Sequence, residues 1–144
     1  MTSARLRHVW RVRYHGRHGK NVAQYTPRWP FMHEMALAES IRDLIDAQAA
    51  REGFRRVCTV ELEIGRLAIV DVPALRFALD IALRDTIAGG AELVIDEPSG
   101  QALCMQCSNS VELAQRGDAC PDCGGYQLTV TDGDQMRVSG LVVE

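Results

Sequence analysis

The 144-residue sequence has no apolar run near the roughly 20 residues that cross a bilayer as a helix, and no apolar stretch of signal-peptide type. Neither a membrane-spanning helix nor export is expected, and a cytoplasmic location is. There is no GxxxxGK(S/T) phosphate loop, so any nucleotide hydrolysis the protein depends on must come from a partner. No nucleophile–base pair stands out, which argues against an enzyme. Acidic residues are missing from residues 1–31, which hold six Arg and one Lys and sum to +7. Residues 32–144 carry all nineteen acids and sum to −10, a charge that phosphate would repel. Histidine is scarce in that longer part, with His33 its sole example. Large apolar side chains are scarce in residues 100–130, where Leu103, Leu113 and Leu128 are the main ones. A module of that size cannot hold itself together without a staple.

The staple is visible as Cys104-Met-Gln-Cys107 and Cys120-Pro-Asp-Cys123, two pairs separated by twelve residues. The pattern C-x2-C-x12-C-x2-C brings four thiolates to one tetrahedral zinc. Without an export signal, metal thiolates are expected rather than disulfides. Pro121 and the Gly124-Gly125 pair suit the tight turn that such a site needs. Four cysteines close the coordination sphere, which points to a structural ion, because a catalytic zinc keeps a position open. An iron site of rubredoxin type uses the same ligands, and spacing does not separate the two.

The rest of the chain reads as a small α/β protein. Residues 1–31 form a basic extension broken by Gly16, Gly19, Pro27 and Pro30. It suits an unstructured leader or sequence upstream of the true start. A nucleic-acid arm or an organelle-targeting peptide has the same composition. From Met35 to Glu52 the apolar spacing of Leu37, Ile41, Leu44, Ile45 and Gln48/Ala49 predicts a helix, with Gly53 after its end. Val57 to Ile64 alternates as a half-buried strand, with Cys58, Val60, Leu62 and Ile64 on its inner face, so Cys58 is expected to be a small core residue. Asp71 precedes a second helix with Pro73 in its first turn, an apolar stripe from Leu75 to Ile87 and an end at Gly89-Gly90. Ala91–Glu97 is a second strand, parallel to the first because a helix connects them. Short hairpin segments hold the cysteines. A last strand covers Gln135–Val143, with Gly140 marking a β-bulge. The expected architecture is a small two-layer sheet with two helices, formed by 32–99 and 131–144, with an inserted four-cysteine, zinc-ribbon-like module at 100–130.

Several motifs then fall in one order: Met32-His33-Glu34 before a helix, a strand ending in Glu63-Ile64-Gly65, Asp71 before Leu75, the two cysteine pairs, and Asp132-Gly133-Asp134-Gln135-Met136-Arg137 before the last strand. In these the sequence from Met32 to Glu144 resembles the HypA/HybF family of hydrogenase nickel-incorporation proteins. The resemblance implies a nickel metallochaperone with structural zinc at the cysteines and Ni(II) at Met32, His33 and Glu34. Asp71 matches an acidic position near the nickel site, although its sequence position is well explained by capping of the second helix, and the two roles are not exclusive. The implied partners are a GTPase of the HypB kind and the large subunit of NiFe-hydrogenase, with a homodimer also allowed. A free α-amine, a deprotonated amide and the neighbouring imidazole chelate one metal through fused rings, a nitrogen-rich setting that suits Ni(II). Here Met32 is preceded by 31 residues, which removes that amine, so translation from Met32 is the economical expectation.

Three other readings compete. A zinc-ribbon nucleic-acid binder draws support from the basic leader alone. A thiol redox enzyme needs a reactive dithiol, whereas two pairs at zinc spacing predict inert thiolates. An interaction module with zinc and no nickel function differs from the first reading only by a nickel titration.

Overall fold

The computed structural model describes residues 33–144. What the sequence suggests for residues 1–31 and for Met32 lies outside the described residues. The elements are α1 His33–Glu52, β1 Val57–Ile64, α2 Val72–Leu83, β2 Glu92–Asp96, β3 Gly100–Cys104, β4 Ser110–Leu113, β5 Leu128–Asp132 and β6 Met136–Val143.

Helix α1 begins two residues before the expected Met35. Leu37, Ala38, Ile41, Ile45 and Gln48 form its buried face, while Leu44 is half-buried. Glu34 in the first turn and Arg51 in the last oppose the partial charges of the helix ends. Gly53, at φ +78°, closes the helix by donating to the Ala49 carbonyl at 2.8 Å.

Helix α2 is capped by Asp71, whose Oδ1 accepts from the Ala74 N–H at 3.0 Å. Leu75, Ala78, Leu79 and Leu83 are buried along one side, and α1 and α2 pack together. The helix stops at Leu83 rather than near Ile87, which is only half-buried. Thr86 explains the stop. Its hydroxyl donates to the Leu83 carbonyl at 2.8 Å and accepts from the Ala88 N–H at 3.1 Å. It thereby takes the carbonyl that another turn would need.

One sheet has the order β2-β1-β6. Val57 N–H bonds to Ile87 O ahead of β2, and Arg66 N–H to Pro98 O beyond its end. Strands β1 and β2 therefore run in the same sense, as a helical connection requires. Arg56 and Glu144 exchange bonds of 3.3 and 2.8 Å, and Gly65 N–H reaches Gln135 O at 2.8 Å, so β6 runs opposite to β1. Cys58 departs from expectation, being half-buried rather than in the core. At the start of β1 the covered residue is Val57, on the other side of the pleat, and alternation toward the core holds only from Val60 onward. Strand β6 runs through Gly140, and a Cβ there would meet the Glu61 carboxylate, so this glycine makes room for that side chain.

The second sheet, β4-β3-β5, is antiparallel throughout. Leu103 faces Ser110 on one side, Cys104 faces Leu128 on the other, and the irregularity falls between Gln101 and Ala102.

The described residues form two compact units. The first comprises residues 33–62, Val70–Val94 and Val138–Glu144. Its core includes Leu37, Ile41, Ile45, Val60, Leu62, Leu75, Leu79 and Leu141. The second comprises Glu63–Ile69 and Ile95–Arg137, a wider span than the 100–130 suggested by cysteine spacing. Its core consists of Leu67, Ala102, Cys104, Val111, Leu113 and Cys120. Leu67 supplies bulk that 100–130 lacks. The loop carrying it is held by Gly65 N–H to Gln135 O and Leu67 N–H to Gly133 O, each 2.8 Å. Gly100 has no side chain where that of Leu67 sits.

Candidate metal centre

The two cysteine pairs fold into turns of the same design. Cys104 N–H donates to Asn109 O at 2.9 Å, and Ser108 N–H donates to Cys104 O at 2.9 Å. In the second turn Cys120 N–H donates to Gly125 O at 2.7 Å, and Gly124 N–H donates to Cys120 O at 2.8 Å. In each, the residue after the second cysteine has a positive φ, 61° at Ser108 and 75° at Gly124. The second turn uses glycine there, which carries no Cβ penalty; the first places a serine in the same strained region. Strand β3 delivers the first turn, and Met105 N–H to Gln127 O at 2.7 Å ties it to the chain entering β5.

The four Sγ atoms lie within 4.8 Å of one another. Cys104 and Cys123 approach to 3.6 Å, and Cys107 and Cys120 to 3.8 Å. A tetrahedron with Zn–S of about 2.3 Å has sulfur–sulfur edges of about 3.8 Å. The donor set therefore fits a four-coordinate thiophilic ion. Cys104 and Cys120 are buried, Cys107 is half-buried and Cys123 is exposed.

Protons alone satisfy this cluster poorly. The Cys107 N–H, followed by that of Gln106, brings the Cys104 thiol down to about 7 against the effect of burial. The Asn109 N–H favours the Cys107 thiolate, but burial and the neighbouring sulfurs outweigh it and push that thiol up to about 12. Cys123 behaves alike: the Gly125 N–H lowers it, while the Cys104 sulfur and burial raise it, with a net rise. The first thiolate forms readily and then opposes the others, as like charges at one site do. A divalent cation at the centre removes that opposition.

The other predicted ligands that are described, His33, Glu34 and Asp71, lie on the first unit. His33 opens α1, and Met32 is outside the described residues. Glu34 is buried and its Oε1 accepts from the Asp71 N–H at 3.2 Å. The structure thus joins two of the acidic residues singled out from sequence. Asp71 is itself exposed and caps α2. Sequence reasoning did not single out Asn109 and Asp122, whose side chains meet across the two turns at 3.1 Å. Asn109 lies two residues after its cysteine pair and Asp122 inside the other, so their spacing gave no common signal.

A family profile described as hydrogenase/urease nickel incorporation, metallochaperone, HypA matches residues 32–143. The hydrogenase maturation factor HypA of Azoarcus sp. (strain BH72) is 52% identical over 112 residues, covering 78% of this chain and 98% of the relative. That of Alkalilimnicola ehrlichii is 48% identical over 113 residues, covering 78% and 100%. Among solved structures, the solution structure of the Ni metallochaperone HypA from Helicobacter pylori aligns with a TM-score of 0.55 at 20% identity, covering 76% of this chain and 96% of that one. At that identity the structural match speaks for the fold alone. Sequence and fold together place this chain in the HypA family of hydrogenase/urease nickel-incorporation metallochaperones.

Proposed function

We propose that the protein carries Ni(II) at Met32-His33-Glu34 and delivers it for assembly of the NiFe-hydrogenase active site, while the four cysteines hold a structural zinc. The observation that carries this reading is the bond between the Glu34 carboxylate and the Asp71 N–H. It fixes the first turn of α1 against the capped start of α2. A fixed turn following a short chelating segment holds a metal loosely enough to pass it on. An enzyme would instead enclose it. The names of the relatives support the hydrogenase client, and the family description extends to urease.

In this reading His33 supplies an imidazole, and the backbone at His33 and Glu34 supplies amide nitrogens. Met32 supplies an α-amine when the chain starts there. Asp71 caps α2 and places a second carboxylate close by. Delivery requires a GTPase of the HypB kind, since this chain has no phosphate loop, and the large hydrogenase subunit as acceptor. The domain division that goes with it is a basic extension at 1–31, a nickel-binding α/β part, and a zinc-held part around the cysteines.

Calorimetric Ni(II) titration tests this with three proteins: the full chain, a chain starting at Met32, and that shorter chain with His33→Ala. The Met32 start should bind more tightly than the full chain, and His33→Ala should lose most of the affinity. Equal affinity with and without the imidazole would remove the proposed function from this site.

A further inference from the structure

The two metal-binding turns are linked by side chains in a reciprocal way. In the first turn the residue before the second cysteine is Gln106; in the second it is Asp122. The residue two beyond the second cysteine is Asn109 in the first turn and Gly125 in the second. Asn109 Nδ2 donates to Asp122 Oδ2 at 3.1 Å. The Gln106 amide oxygen fills the space beside Gly125 where a Cβ would stand. Each turn therefore reaches from the same position to the same position of its counterpart.

The receiving residues are also the ones that orient the sulfurs. Asn109 donates its N–H to Cys107 Sγ and accepts from Cys104 N–H through its carbonyl. Gly125 donates its N–H to Cys123 Sγ and accepts from Cys120 N–H. A contact that moves Asn109 or Gly125 moves a ligand. We propose that these two bridges, Asn109 to Asp122 and Gln106 to Gly125, latch the turns together and set how fast the metal leaves the four sulfurs.

Hydrogen bonds at exposed side chains add little to global stability, so an effect on overall unfolding is not the expected signature. Metal exit is different, because it needs only the local parting of one turn from the other. Cys123 is the one exposed residue of the four cysteines, so a competing ligand is expected to attack there first, and Asp122 is its neighbour. Gly125 belongs to the latch because any larger residue would displace Gln106.

The test follows zinc passing from the full, zinc-loaded chain to excess 4-(2-pyridylazo)resorcinol. Uptake of one zinc by the unaltered chain is measured first, so a failure of the zinc assignment is seen separately. Asn109→Ala and Asp122→Ala should each release zinc roughly three- to tenfold faster, the effect of losing one hydrogen bond. The double variant should be no faster than the faster single one, because both remove the same bridge. Asp122→Asn should stay near the unaltered rate, since an amide oxygen still accepts from Asn109. Gly125→Ala should also release zinc faster with all four cysteines in place; if it does not load zinc, Asn109→Ala alone decides. An unaltered rate in Asn109→Ala overturns the latch. Equal acceleration by Asp122→Asn and Asp122→Ala overturns it too, because charge rather than the bridge would then set the rate.

Discussion

Asp71 performs two tasks with two different groups: its side chain accepts from Ala74 N–H, and its own N–H holds Glu34. Loss of the side chain removes only the first. Asp71→Ala should destabilise the chain by about 1 kcal/mol, and Asp71→Asn, which keeps a capping oxygen, by much less. Urea unfolding of both variants checks this, and equal losses would contradict the capping role. Glu63 is held from two sides, by Gln135 Nε2 and by Arg137 at 2.9 Å each. The Gln135 amide first, then the Arg137 guanidinium, keep its carboxyl below the ordinary 4.5. A carboxyl lowered in the folded state contributes stability above its unfolded value and loses it as pH falls through the folded one. The unaltered protein should therefore exceed Glu63→Gln in urea midpoint at pH 7, with the gap closing below about 4.5. Both proteins are compared under saturating zinc, because Glu63, Gln135 and Arg137 belong to the unit that metal loss would melt. Neither bond was legible in the sequence, because Glu63 and Arg137 are 74 positions apart and nothing local announces the pairing.

Among the elements, those with strong local signals were legible. The stripe of α1, the Asp71 cap and the cysteine turns each follow from spacing over a few residues. What failed were places where a neighbour overrode the pattern. Thr86 ended α2 early through its hydroxyl, and Cys58 lost its place in the core to Val57. Leu67 is the most consequential residue that went unmarked. It sits in a loop with no periodicity, yet it is fully buried in the core of the metal-binding unit. Leu67→Ala should cost roughly 2–5 kcal/mol, the usual range for such a truncation in a core. The loss should fall on that unit, as amide exchange of β3, β4 and β5 would reveal. Uniform loss of protection across α1 and α2 as well would mean that the units do not unfold separately.

Over the whole molecule, both helices belong to one unit and all four cysteines to the other. Chelation should therefore abolish amide protection in Ile95–Arg137 while leaving the helical far-ultraviolet signal in place. Simultaneous loss of both would show a single cooperative structure. The division could be read only coarsely from sequence. Cysteine spacing marks where a staple acts, but not which distant loop, here Glu63–Ile69, it recruits. The sulfur cluster has one more consequence, a matter of mass action. A group of ligands that grips an ion only when folded makes stability a property of the medium as well as of the chain. Where zinc saturates the site, each tenfold fall in free zinc should lower the stability of that unit by about 1.4 kcal/mol. The same sequence is then a firm or a marginal structure according to the metal supply around it, and its melting point is meaningful only beside a stated zinc concentration.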